Sequence, residues 1–178
     1  MFSPKETQHP STVTLPQRLA LMGQLAIEGS GTPLASYLSR RGVAELPSSA
    51  PFEWNALALC AFMRDVVRYQ TEDPETFTGL EALIWLGAGD CDDVSIALAA
   101  LLLRCGWPVL WAVGFNKRQA THGWVRTRPP QEPDAPWIDL DASTWRVEPG
   151  TSPMVLGEHD AARFYTLDGR EFRSTSFG

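Results

Sequence analysis

Gly87-Ala88-Gly89-Asp90-Cys91-Asp92-Asp93 stands immediately before an apolar run from Val94 to Cys105. Two glycines and an acidic triplet around one cysteine predict an extended or loop segment that turns sharply into a helix, with Cys91 in the first turn. A thiol at that place meets unpaired backbone N–H groups and the positive end of the helix dipole, which favour the nucleophilic thiolate. Asp90, Asp92 and Asp93 push the other way, because like charge raises a thiol pKa, so a nearby imidazolium is needed to win. Asp92 and Asp93 also serve the helix itself, as first-turn acids worth ~0.3 to 1 kcal/mol each.

Downstream of the cysteine, Val94, Ala97, Leu98, Leu101, Leu102 and Cys105 recur at helical spacing, while Ile96, Ala99, Ala100 and Leu103 fill the other faces. A helix apolar nearly all round is buried nearly all round, which makes this the central helix. Gly106-Trp107-Pro108 turns the chain into Val109 to Phe115, a continuous apolar strand inside a sheet. Asn116-Lys117-Arg118-Gln119 is a polar hairpin turn, and Thr121 to Arg128 is the returning strand, on which His122, Trp124 and Arg126 share a face. A loop holding Pro129, Pro130, Pro133 and Pro136 interrupts pairing, which resumes at Trp137-Ile138-Asp139-Leu140-Asp141-Ala142-Ser143. Helices followed by antiparallel strands describe an α+β fold.

Cysteine at a helix start, histidine on one strand and a carboxylate on the next is the order that a thiol triad needs. In such a triad Cys91 attacks a carbonyl, His122 moves the proton and the carboxylate orients the imidazole. Asp139 and Asp141 lie two apart and point to the same face of a strand, so periodicity leaves both open. The Cys91 backbone N–H at the helix start is one donor for the resulting oxyanion.

Together these features resemble the transglutaminase-like superfamily of papain-type thiol enzymes, in particular its small prokaryotic and phage-encoded cysteine peptidases. The matching residues are Tyr69 closing a helix, the Gly89 to Asp93 run, the Gly106 turn, the His122 strand and the Trp137 to Ser143 strand. They span roughly residues 52 to 150. The resemblance implies a papain-like core, with the cysteine helix packed on an antiparallel sheet. It also selects Asp141, followed by Ala142 and Ser143, as the triad carboxylate and leaves Asp139, Asp90 and Trp124 as supporting residues. By the same resemblance, Trp54 is a candidate side-chain donor to the oxyanion.

Three classes of function follow. One is a thiol hydrolase that cleaves a peptide or isopeptide amide through a thioester. Another is an acyl transferase that passes the thioester to an amine and crosslinks proteins. The last is a phage virion or assembly protein, of tail, baseplate or head, that keeps the fold. Expected partners are a peptide or protein substrate and, for the last class, other virion proteins.

With 178 residues the chain is long enough for one substantial core. Its 15 basic and 21 acidic residues give a net charge of −6 with no basic run, which disfavours nucleic acid as a partner. No apolar run reaches the ~18 residues of a membrane span. The beginning, Met1-Phe2-Ser3-Pro4-Lys5-Glu6, lacks a basic-then-apolar plan, and Cys60, Cys91 and Cys105 suit a reducing compartment, so the expected location is cytoplasmic at synthesis, or virion-associated in the last class. No Cys-x-x-Cys or His-Glu-x-x-His spacing supports zinc, and the acidic triplet lacks the spaced loop of calcium hands, so neither metal nor cofactor is expected.

Residues 1 to 50 read as an irregular lead-in and a helical cover, 51 to 150 as the core, and 151 to 178 as a C-terminal extension, all in one compact domain. Thr14-Leu15-Pro16-Gln17 starts a first helix that lasts to Gly29, and a second runs from Thr32-Pro33 to Gly42. Ser48-Ser49-Ala50-Pro51 begins a third, which reaches Tyr69 and is stopped by Glu72-Asp73-Pro74; Glu81 to Leu86 is a shorter fourth. Met154-Val155-Leu156 and Phe164-Tyr165-Thr166-Leu167 are read as short strands, with Asp168-Gly169 as a turn before Phe172. His9 and His159, in polar turn-rich stretches, are expected to be solvated. The proline-rich loop is the expected cover of the cleft.

Overall fold

In the computed structural model, the described residues are 7–8, 13–43, 53–71 and 76–173. The elements run β1 (Thr7–Gln8), α1 (Leu15–Ser30), α2 (Pro33–Gly42), α3 (Glu53–Val66), β2 (Arg68–Tyr69), β3 (Thr76–Phe77), α4 (Leu80–Leu86), β4 (Ala88–Gly89) and α5 (Cys91–Arg104). The second half is β5 (Val109–Asn116), β6 (Gln119–Thr127), β7 (Ile138–Leu140), a 3₁₀ turn (Pro153–Leu156), β8 (Ala161–Tyr165) and β9 (Glu171–Phe172). The fold is mixed α+β.

Helix α5 is the axis of the molecule. Ile96, Ala97, Leu98, Ala99, Ala100, Leu101 and Leu102 are fully buried, and Val94 is 1% exposed. Each of the larger aliphatic side chains contributes ~1.5 to 3 kcal/mol by leaving water. The start of the helix is held by a reciprocal cap: Asp90 accepts from the Asp92 and Asp93 N–H groups, while Asp93 accepts from the Asp90 N–H. Asp93 is wholly buried because its other oxygen accepts from the Thr78 N–H at 2.7 Å. The acidic run therefore fixes where the helix begins, and with it the position of Cys91.

Helices α1, α2, α3 and α4 all pack on α5. Thr14 and Gln17 form the capping box of α1, and Thr32 accepts from the Ala35 N–H to start α2. At Gly23, α1 approaches the chain so closely that an added Cβ would lie 2.0 Å from the Leu167 carbonyl oxygen.

Among the described residues, five strands form one antiparallel sheet in the order β7-β6-β5-β8-β9. The β5–β6 hairpin turns through Lys117 and Arg118, both at positive φ as its two-residue loop requires. Residues 161 to 172 extend the sheet on the far edge of β5. Two shorter pairings complete the ladder set: β1 lies antiparallel to β3, and β2 parallel to β4. No helix among the described residues is long and apolar enough to cross a membrane.

Several sequence expectations are corrected. The third helix ends at Val66, and Tyr69 lies instead on β2, paired with Gly89. Thr7 and Gln8 of the expected irregular lead-in form a strand. Met154 to Leu156 belong to a 3₁₀ turn, since Pro153 at its start has no N–H to offer a ladder. Ser48 to Pro51, Glu72 to Pro74 and His9 lie outside the described residues.

Candidate active site

Where α5 begins against the inner face of β6, a cleft of about 180 Å³ opens. Cys91 and His122 both line it, with Trp124 behind them and Arg18, Leu19 and Met22 of α1 opposite. The expected cover, the Pro129 to Pro136 loop, does not line this cleft; its wall is α1.

His122 and Trp124 share the inner face of β6, as the period of two requires. His122 Nε2 lies 2.7 Å from Asp141 Oδ2. Asp141, just past the end of β7, is 1% exposed, and its second oxygen accepts from the Ser143 N–H and hydroxyl at 2.9 and 2.6 Å. Burial alone would push the Asp141 carboxyl up. The His122 bond and charge, with the two Ser143 donors, outweigh burial and leave the carboxyl below its ordinary value. With Nε2 committed to Asp141, Nδ1 is the ring nitrogen left to exchange a proton.

Asp139, the alternative carboxylate, has other partners. Its Oδ1 accepts from Trp124 Nε1 at 2.7 Å and lies 3.0 Å from Arg126 Nε. It thereby anchors the indole that borders the imidazole.

The Cys91 thiol is directed at Asp92, with Sγ 3.7 Å from Oδ1. Burial, then the charges of Asp92 and Asp90, raise its pKa well above the ordinary value, while the Gly123 backbone N–H works in the opposite direction. The opposition expected of the acidic triplet is thus present, and in this arrangement it prevails. Asp92 is itself 3.5 Å from the Arg18 guanidinium of α1.

Trp54 is not in this cleft. It lines a separate groove with Leu57, Arg64 and Trp145 and stands 47% exposed. A residue that sequence reasoning does not assign to the chemistry feels the charges of the site. The Tyr69 phenol, half-exposed on β2, is raised above its ordinary value by burial and by the charges of Cys91, Asp90, Asp92 and Asp141. Pairing of β2 with β4 is what brings it there.

His159 is also corrected. It is partly buried, with its ring 5.7 Å from His122 and only 7° out of parallel, rather than solvated. The apolar strand run contains one pointer to it, the isolated Gly114, since glycine inside a strand often marks a close approach. Among the described residues no cluster of three or more His, Cys, Asp or Glu is arranged to hold a metal ion.

The family model for the transglutaminase-like superfamily matches residues 42–142. Solved structures with a similar fold include a candidate protease from Parabacteroides distasonis, with a TM-score of 0.59 at 10% identity over 88% of this chain and 30% of that one. A candidate cysteine protease from Cytophaga hutchinsonii matches with a TM-score of 0.48 at 16% identity, over 74% of this chain and 47% of that one. LapG of Legionella pneumophila matches with a TM-score of 0.45 at 17% identity, over 75% and 74% of the two chains. The chain therefore spans less than half the length of the first two. No curated protein matches the sequence.

Proposed function

Since the chain belongs to the transglutaminase-like superfamily, we propose that it is a thiol hydrolase that cleaves a peptide or isopeptide amide by way of a thioester on Cys91. The observation that carries this reading is the 2.7 Å His122–Asp141 contact beside a cleft that Cys91 shares.

The thiol gives its proton to His122 Nδ1, and the sulfur attacks the amide carbon. Asp141 steadies the imidazolium that forms, since its carboxylate is already held by Ser143 and accepts from Nε2–H. The oxyanion takes the Cys91 backbone N–H, one of the first amides of α5 with no place in the helical ladder. Tyr69 supplies the second donor in place of Trp54. Collapse expels the amine, which takes the proton from His122. Water then loses a proton to His122, attacks the thioester and releases the acid and the thiol.

A raised thiol suits proton transfer at the moment of attack better than a standing thiolate–imidazolium pair. The second reading is a virion or assembly protein that keeps the fold with its triad idle, for which a thiol held protonated is no obstacle. A crosslinking acyl transferase shares every step up to the thioester and differs only in the acceptor. Cys91→Ser separates these. For a hydrolase, cleavage of a mixed peptide library, read by mass spectrometry, disappears while the melting temperature barely moves; for an idle triad, neither the wild type nor the variant cleaves. Added amine diverts product from acid to amide only in the transferase.

A further inference from the structure

The segment between the 3₁₀ turn and β8 crosses the sheet edge and delivers an imidazole to the face that carries His122. It is pinned at Asp160 twice: the Asp160 N–H donates to the Phe115 carbonyl at 2.8 Å, and the Lys117 N–H donates to the Asp160 side-chain Oδ2 at 2.9 Å. The ring of His159 then lies over Gly114, the residue paired with His122 on one side and Ala162 on the other. A Cβ at Gly114 would meet His159 Cγ at 2.8 Å, so the bare backbone there is the seat of the ring. Nδ1 of His159 lies 3.1 Å from the Thr121 hydroxyl, which is also 3.3 Å from the Gly114 carbonyl.

Three rings thus enclose one another. His122 and His159 are 5.7 Å apart at 7°, His122 and Trp124 5.7 Å apart at 28°, and Trp124 and His159 6.2 Å apart at 26°. The His122–Asp141 bond fixes one edge of the imidazole, and flat neighbours beside the ring restrict the torsion about its ring bond that a single bond at the edge leaves.

We propose that His159 is a positioning residue for the reaction centre, whose ring packs with Trp124 beside the His122 imidazole so that Nε2 stays on Asp141 and Nδ1 stays free for the thiol. The proposal rests on the thiol-hydrolase reading for its catalytic consequence, and on the ring geometry alone for the packing. The surroundings of His159 disfavour its charged form. Burial and then the charge of His122 drive the proton off His159, while Glu158, itself paired with Arg146, and Asp141 draw it on; the balance lies below the ordinary histidine value.

Two measurements on the full chain test this. Imidazole NMR should show the His159 titration midpoint rising in His122→Gln, because the charge of His122 is one of the influences that lower it; an unmoved midpoint overturns the ring contact on which the positioning role rests. For catalysis, His159→Phe keeps a flat ring and should retain turnover within about threefold, whereas His159→Leu should lose about 10²-fold in kcat with little change in KM, as misplaced catalytic groups do. Equal loss in both variants, or none in either, overturns the positioning role. Gly114→Ala, which retains His159 but unseats it, guards against misfolding of the leucine variant and should behave as that variant does. If Cys91→Ser leaves cleavage intact, the hydrolase reading fails while the titration result stands by itself.

Discussion

From α3, the Arg64 guanidinium donates to the Asp141 backbone carbonyl through Nε at 3.0 Å and Nη2 at 2.6 Å, across 77 residues of sequence. The carboxylate that holds His122 is therefore fixed at its own main chain by a buried cation. Arg64→Met should destabilise the fold by about 3 kcal/mol, since hydrogen bonds to charged groups are the stronger kind and the carbonyl would be left buried without them. Chemical denaturation reads the loss, and a shift of less than about 1 kcal/mol would remove Arg64 from this role.

After burial, Asp92 is the largest influence that raises the Cys91 thiol in the resting site. Asp92→Asn removes the nearest carboxylate charge, so the Cys91 midpoint should fall. Alkylation by iodoacetamide at neutral pH should then accelerate several-fold, because the thiolate fraction grows about tenfold for each pH unit by which the midpoint drops. Cys60 provides the internal control, because burial pushes its thiol up to about 12 and it should stay unlabelled while the protein is folded. An unchanged Cys91 rate would mean that Asp92 is not what keeps the thiol protonated.

The Asp141 carboxyl, lowered in the folded chain, ties stability to acid. Its contribution is present above the ordinary aspartate range near pH 4 and is lost as pH falls through the lower folded value. Asp141→Asn should flatten that part of the acid limb while lowering stability at neutral pH. Thermal melts between roughly pH 2 and 6 that run parallel for the two proteins would contradict the assignment.

If Tyr69 donates to the oxyanion, Tyr69→Phe should lower kcat about 10²-fold and leave KM and the melting temperature nearly unchanged, as removal of such a donor does. Trp54→Phe, whose indole faces the other groove, should leave turnover unaffected. The reverse pattern would restore Trp54 and dismiss Tyr69.

What the sequence discloses of this molecule is mostly local. The starts of α1, α2 and α5 are legible because each carries its own capping residue beside the first turn, and α5 is legible as central because no face of it is polar. The β5–β6 hairpin follows from a polar four-residue break between two apolar runs. The end of α3 and the place of Tyr69 are not legible, since a two-residue parallel pairing with Ala88 and Gly89 has no periodicity of its own. Trp54 lines a groove other than the one expected of it, because residue type and distance along the chain do not say which way a helix faces. His159 escapes notice for a related reason: its burial depends on a ring 5.7 Å away across the sheet, and its flanking residues read as an ordinary turn.

The family match ends at residue 142, yet the ring that lies against His122 belongs to residue 159. The inherited unit and the working unit of this chain thus have different borders. A fragment trimmed to the matched region would keep Cys91, His122 and Asp141 and lose β8, which pairs with β5, together with the flat partner of its histidine. Grafting experiments and comparisons among distant relatives should accordingly take the edge of the sheet as the border, and ask of each relative which side chain fills the notch over the residue equivalent to Gly114.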